Sequence, residues 1–426
     1  MKTPKDSYTN IDVEYELTDL PLTALGGLPV IIEAAKALGI DRLFDKHLRI
    51  KLRDRGYSEY ELAMAVILTL LAGGESLEDA DKIRMDEVVE RGHFPHSTTI
   101  GDFLRRFTDE EQFEALQRVQ DELNRQILKQ MEYDQLTLDI DATIIAAEGE
   151  KREGTGKAYT GQIGMQPLVL FAAEPGMVLG QDFRAANVHP GAGAVELLKK
   201  ALDVIPSGVR LHLRSDSAIY NKEVVQFWDG KGHTFTISAD LTAPLLAQIA
   251  GLPEEAWHLL ANGEAVAQVY YRPTGWPKAY RFIVVRKPKS QDMFGAVFRY
   301  RALVTNLERG NPKWILKRHR RHANVENGIE ELKSGFSLSV MPCLAFRANR
   351  AWFQLGVIAN NLFSALKLLL LPMKWAAHRI KTVRWRLLHS GGVLVRHLRR
   401  RVLKIPRHHP WCGDLARLRG SVRAFA

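Results

Sequence analysis

The sequence predicts an α/β protein: a sheet-based core carrying a β-rich insertion, preceded by a helical N-terminal domain and followed by a basic helical C-terminal tail. Three observations predict it. Up to about residue 130, apolar residues recur at spacings of 3 and 4, the period of a helix packed on one face. From Leu136 the period changes to 2 in LTLDIDATII, after which strand-like and helix-like stretches alternate. From Lys374 onward the chain is strongly basic, with Asp414 its only acid.

A chain of 426 residues, 46% hydrophobic, exceeds one ordinary domain and can bury a large core. Its net charge of +10 and pI near 9.4 make an acidic polymer the natural partner. Charge alone does not separate nucleic acid from an anionic membrane. The first residues, MKTPKDSYTNIDVEYEL, have no apolar core and no small-residue cleavage site, so no signal peptide and a cytoplasmic, nucleoid-associated location are expected. Cys343 and Cys412 lie far apart without a CxxC, which points away from a disulfide framework and from a cysteine zinc site.

In the N-terminal part, LPVIIEAAKALGI, EYELAMAVILTLLAGG, SLEDADKIRM and EEQFEALQRVQDELNRQILKQM read as helices. PHSTTIGDFLRRF reads as another, capped by Ser97 or Thr98 and ending in Arg105 and Arg106. It suits a groove-reading helix and equally an ordinary amphipathic one with a basic end. The strand LTLDIDATII then places Asp139 and Asp141 on one face, where acids are costly unless paired or metal-bound. The next loop, EGEKREGTGKAYTGQIG, contains GTGKA but is no phosphate-binding P-loop, because the glycine spacing is wrong and Ala158 replaces the hydroxyl residue. It reads as a basic loop beside a phosphate backbone or as a plain surface loop.

A hairpin of PLVLFAA and GMVLGQDFRAA follows, then helix AVELLKKALDVI and strand VRLHLRSDSAIY, with Asp216 at the strand's C-terminal end, where α/β sheets bind ligands. An Asp-Ser pair there also makes a helix cap. Helix KEVVQFW, strand HTFTISAD and a β-rich insertion with VAQVYYRP, AYRFIVVRKP and VFRYRALVTNL come next. Residues 311–335, NPKWILKRHRRHANVENGIEELKSG, read as one helix with His319, His322, Glu326, Glu330 and Lys333 along one face at spacings of 3, 4, 4 and 3. FRANRAWFQLGVIANNLFSALKLLLLP is apolar but interrupted by Gln354, Asn360, Asn361 and Lys367, so a core helix is expected in place of a membrane span. Tail residues around Trp375, Trp385 and Trp411 interleave bases with aromatics, as nucleic-acid surfaces do.

Two strands and one helix thus carry three separated acids, and oxygen ligands are what hard divalent ions need for two-metal phosphodiester chemistry. In this order and spacing the chain resembles an insertion-sequence DDE transposase of the subgroup with a β-rich insertion and a YREK signature helix. Asp141-Ala142-Thr143 matches the family's Asp-x-Thr strand, Asp216-Ser217 its Asp-Ser pair, and Glu326 with Lys333 its helical Glu and Lys. His319 and His322 stand where the family has Tyr and Arg.

The resemblance implies an RNase H-like mixed-sheet core and three regions: a helical DNA-binding domain over 1–132, a catalytic domain over 133–372 with its insertion at about 240–310, and a basic helical region over 373–426. It implies Asp141, Asp216 and Glu326 as catalytic ligands of two Mg2+ or Mn2+ ions. Arg105, Arg106, Arg318, His319, Arg320, Arg321, His322 and Lys333 would contact DNA. The partners implied are transposon terminal inverted repeats and target DNA, bound by a homodimer in a synaptic complex, with no membrane. Two rivals are a nuclease of the same fold without strand transfer and a non-catalytic DNA-binding descendant, which an intact acid triad disfavours because carboxylates repel phosphate. Composition does not choose between Asp139 and Asp141; the family motif selects Asp141, and Asp139 is expected to pair with a basic residue and orient the site.

Overall fold

The structure, a computed structural model, describes residues 13–51, 55–89, 93–147, 151–292, 295–321, 323–398 and 400–425. A short strand β1 (Leu22–Thr23) precedes six helices: α1 (Leu28–Ala37), α2 (Ile40–His47), α3 (Glu59–Ala72), α4 (Asp79–Arg84), α5 (Ser97–Arg105) and α6 (Glu110–Met131). Ser58 and Asp109 cap α3 and α6 through reciprocal bonds with Glu61 and Gln112. The cap of α5 is His96, not Ser97 or Thr98 as expected: its ring accepts from the Thr98 N–H, while Ser97 is already helical and its hydroxyl donates to Asp81 (2.7 Å).

The period-2 stretch forms β2 (Gln135–Ala142), and the glycine- and lysine-rich loop folds in part into a small sheet of β3 (Ile145–Ala146), β4 (Gly156–Lys157) and β5 (Ile163–Met165). The hairpin β6 (Leu168–Ala172) and β7 (Met177–Asp182) leads to α7 (Ala194–Val204), β8 (Arg210–Ser215), α8 (Lys222–Gly230) and β9 (Thr234–Ala239). The insertion contributes α9 (Ala243–Ala250), β10 (His258–Leu259), β11 (Ala265–Tyr271), β12 (Tyr280–Asp292) and β13 (Gly295–Thr305). These strands do not stand apart from the core. They extend it into one nine-stranded mixed sheet of order β10-β11-β12-β13-β9-β8-β2-β6-β7, with β2, β8 and β9 parallel and the flanking strands antiparallel.

The helix expected over 311–335 is two helices, α10 (Pro312–Arg320) and α11 (Ala323–Glu330), followed by a wide π-type turn over Glu331–Gly335. The charge pattern accounts for the break. Lys317, Arg318, His319 and Arg320 fill the last turn of α10, and Glu326 lies in the first turn of α11, each sign at the helix end whose dipole it complements. His322 lies outside the described residues.

Helix α12 (Phe346–Ala365) is buried on nearly every side, against α3, α5, α6 and β7. Together with its extension to Leu370 it is long and apolar enough to cross a membrane, yet 83% of its most apolar window is buried inside this protein. A short α13 (Ile380–Val383) follows. The tail ends in a helix, as expected, but its most basic run is a hairpin, β14 (Gly392–His397) and β15 (Arg400–Lys404), with β14 also paired to β1. Val393, Val395 and Val402 explain this, since β-branched residues on alternate positions favour a pleated strand. The final helix, α14 (Cys412–Phe425), packs on α1. One apolar cluster runs from Leu28 to Val422, so the expected boundary near residue 132 falls between α6 and β2 with helices on both sides sharing a core.

A buried amide network ties that core together. The Asn361 amide donates to the Val178 carbonyl (2.7 Å) and accepts from the Val178 N–H (2.9 Å), and Gln120 and Asn124 donate to the same carbonyl. Asn361 therefore substitutes for a neighbouring strand where the β6–β7 register shifts. Asn361→Ala leaves the buried Val178 N–H without its acceptor, while Gln120 and Asn124 still serve the carbonyl, and should lower stability by about 1–3 kcal/mol, read from denaturant midpoints.

A second prediction concerns Asp121 on α6, in a cleft of about 260 Å³ with Gln117, Lys200 and Arg350. Burial pushes its carboxyl up from 3.8 to about 6, against the bond from Gln117 and the charges of Arg125 and Lys200. The folded state holds this proton more tightly, so its ionisation destabilises the fold as pH rises from about 4 through about 6. Asp121→Asn should match the parent near pH 4 and exceed its stability above pH 6; equal pH dependence in the two proteins would contradict this.

Candidate active site

Burial of the central strands decides which acid can face solvent. Asp139 is 1% exposed and Arg214, on β8, is 4% exposed. They form a two-pronged ion pair, Nε to Oδ1 at 2.8 Å and Nη2 to Oδ2 at 2.7 Å. Asp139 and Arg214 are also directly paired in the parallel register. Arg214 further donates to the carbonyl of Arg318 (3.2 Å), fixing the last turn of α10 to the sheet. The expected basic partner of Asp139 is thus Arg214, which sequence reading passed over; an arginine on an apolar strand two positions before an acid was the available signal.

The same register pairs Ile140 with Ser215, so the next residues, Asp141 and Asp216, end adjacent strands at one edge of the sheet. Neighbouring strands lie about 4.8 Å apart, close enough for two carboxylates to reach one ion. Asp141 is half-buried and accepts from the Ala142 N–H (2.7 Å). Asp216 is exposed and uses Oδ1 to cap the short turn Ser217–Ile219 by accepting from the Ala218 N–H (3.0 Å). Its two readings, cap and ligand, are therefore compatible.

Glu326 is exposed on the first turn of α11, while Val325 and Ile329 of that helix are buried. Gly328 lets α11 approach β6 closely: a Cβ there would lie 2.9 Å from the Phe171 ring. Lys333 reaches back to the end of β2, donating to the Ile144 carbonyl (3.1 Å) and lying 3.5 Å from the Thr143 hydroxyl. The Glu–Lys helix is thereby attached to the segment that carries Asp141-Ala142-Thr143.

The other basic residues are distributed less simply. His319 meets the Ser238 hydroxyl of β9 (3.0 Å), and Arg320 pairs with the buried Glu264, which also holds Arg301. Burial lowers the pKa of the Arg318 guanidinium, as does neighbouring Arg214, and Arg318 lies over the Trp314 ring. Arg321 is exposed. Arg105 pairs with Asp102 (2.7 Å) and Arg106 is exposed; neither has a hydrogen bond or ion pair to β2 or β8. Beneath the site, burial pushes the His212 ring down to about 2, helped by Arg318 and Arg214, and Thr234 and Thr236 hydrogen-bond it. It is a neutral core histidine.

Asp141 and Asp216 offer the oxygen donors that a hard divalent ion requires. Among the described residues, however, no three acid, histidine or cysteine side chains are drawn together tightly enough to hold a metal ion. The structure aligns Asp141 with Asp216 and anchors Lys333 beside them, but it does not close Glu326 onto the pair.

A search of curated proteins found no match. Among solved structures, the cryo-EM structure of a piggyBac transposase synaptic complex with hairpin DNA is similar, with a TM-score of 0.46 and 10% identity over 85% of this chain and 78% of that one. The family described as transposase DDE domain group 1, whose members generally use divalent metal ions, matches residues 5–424. With that match spanning nearly its whole length, and with the motif acids on adjacent strand ends, the chain belongs to transposase DDE domain group 1.

Proposed function

We propose that this transposase is encoded by an insertion sequence and acts on its terminal inverted repeats, cleaving the ends and joining the freed 3′-hydroxyl to target DNA. The observation that carries the reading is the parallel register that aligns Asp141 with Asp216 at the sheet edge. Asp141, Asp216 and Glu326 would hold two Mg2+ or Mn2+ ions, with Glu326 completing the set once DNA and metal are bound. Such ions, when present, activate the attacking oxygen and stabilise the leaving one.

The chain's own groups position the DNA. Lys333, beside Thr143 and Ile144, offers a cation to a phosphate next to the acids, and exposed Arg321 adds another. Arg320 is committed to Glu264 and serves to hold α10 against the insertion. Arg105 and Arg106 would track phosphate further along the duplex. A homodimer bridging two ends in a synaptic complex, in the cytoplasm beside the nucleoid, completes the proposal.

Asp216→Ala should abolish metal-dependent cleavage of end DNA while leaving end binding within a few-fold of the parent, because it removes a ligand and no phosphate-binding cation. Cleavage at the parental rate would refute the assignment. Strand-transfer assays with a pre-cut 3′-hydroxyl donor separate transposition from simple nuclease action.

The two acids of β2 should behave oppositely. Asp141→Asn should lose cleavage at unchanged stability. Asp139→Asn strands the buried Arg214 charge and should cost about 3–5 kcal/mol of stability, yet the protein still folded at low temperature should retain activity. An inactive but fully stable Asp139→Asn protein would reverse the roles.

A further inference from the structure

The connection between β7 and α7 is held more firmly than a surface loop requires. Arg184 is only 6% exposed, and its guanidinium donates to three carbonyls, those of Gln166 (3.1 Å), Pro190 and Ala192. A buried guanidinium is unfavourable unless its donors are used, and here they fix the path of residues 190–192. That path runs against the site. A Cβ on Gly191 would lie 2.5 Å from the carbonyl oxygen of Ala218, so the approach needs glycine. Ala218 is the residue whose N–H donates to Asp216 (3.0 Å).

His189 is positioned by the same contact. Its Cε1 lies 3.5 Å from the point where that Cβ would stand, and its Nδ1 accepts from the Gly191 N–H (3.1 Å). Nδ1 is therefore the unprotonated nitrogen, and Nε2 carries the hydrogen. The residue is exposed, and among the described residues Nε2 has no hydrogen-bond or ion-pair partner. The sheet edge is thus approached from both faces. Leu170 and Phe171 are neighbours on β6 and point oppositely: Leu170 pairs with Gly180, over which Leu197 of α7 lies, whereas Phe171 meets Gly328 of α11. Lys333 reaches the Asp141 strand from the α11 face, and His189, on the connection into α7, reaches the Asp216 turn from the other.

We propose that His189 contacts the substrate, its Nε2–H donating to a non-bridging oxygen of a phosphate held at the acids. A neutral donor beside Asp216 then supplements the cation of Lys333 beside Asp141. The inference deepens the transposase reading above and rests on it.

The test measures cleavage of saturating end DNA by full-length variants, with duplexes in which single methylphosphonates replace one charged phosphate oxygen by a methyl group. His189→Asn keeps an acceptor for the Gly191 N–H and deletes the outer donor. It should cleave about 10- to 100-fold more slowly, the worth of a hydrogen bond to a charged group, with end binding within about three-fold of the parent. His189→Gln, whose amide N–H reaches as far as Nε2, should recover most of the rate. One methylphosphonate beside the cleavage site should slow the parent and His189→Gln but slow His189→Asn no further. Parental cleavage by His189→Asn, no recovery in His189→Gln, or equal methylphosphonate penalties in parent and His189→Asn would each overturn this inference alone, because the parent still cuts. A parent protein that leaves end DNA uncut in Mg2+ and Mn2+ would overturn the functional reading and this one together.

Discussion

A carboxylate inside a parallel sheet must be neutralised where it sits, and the rest of this site follows from how that is done for Asp139. Arg214 meets it on the adjacent strand at the same level, with both donors engaged. Such a pair contributes little net stability relative to apolar packing, but one partner without the other is expensive. Its effect is therefore on specificity: a slip of β8 against β2 by one residue would strand both charges and turn each strand's apolar residues the wrong way. The same pair fixes which acid is available, since Asp139 is committed and Asp141, two residues on, reaches the edge beside Asp216.

From that edge the chain builds outward through backbone contacts. Arg214 also holds the carbonyl of Arg318 at the end of α10, and Lys333, beyond α11, holds the carbonyl of Ile144 just past β2. The two helices are thus attached to the acid-bearing strands at both ends of the segment that carries Glu326. Arg384 extends the connection: its guanidinium donates to the carbonyls of Leu70 and Leu71 at the end of α3 and to that of Gly335. A rearrangement of the Glu326 segment would be felt by the N-terminal helices and the tail together.

Much of this was legible in the sequence because the signals were local. The change of period at Leu136, the strands that end at Asp141 and Asp216, and the interrupted apolar run of α12 each depend on neighbouring residues only. What was missed depends on partners distant in sequence. Arg214 reads as one more base until β8 is laid beside β2, and Asn361 looks like a flaw in an apolar helix until Val178 lies against it. The break between α10 and α11 was different, since the run of cations before the acid was visible and was read as one polar face when it marked two helix ends. The hairpin of the tail was hidden by its charge, which drew attention from the alternating valines.

The central claim is that Asp141 and Asp216, not Asp139, form the metal edge of the site and that Glu326 joins them. Crystals of the protein with end DNA, grown in Mn2+ and measured at an energy where manganese scatters anomalously, test it directly. The account predicts anomalous density within coordinating distance of carboxylate oxygens from both Asp141 and Asp216, with Glu326 turned towards it and the Asp139–Arg214 pair undisturbed. Density at Asp139 with Arg214 displaced, or ordered DNA at the site with no manganese between Asp141 and Asp216, would contradict it.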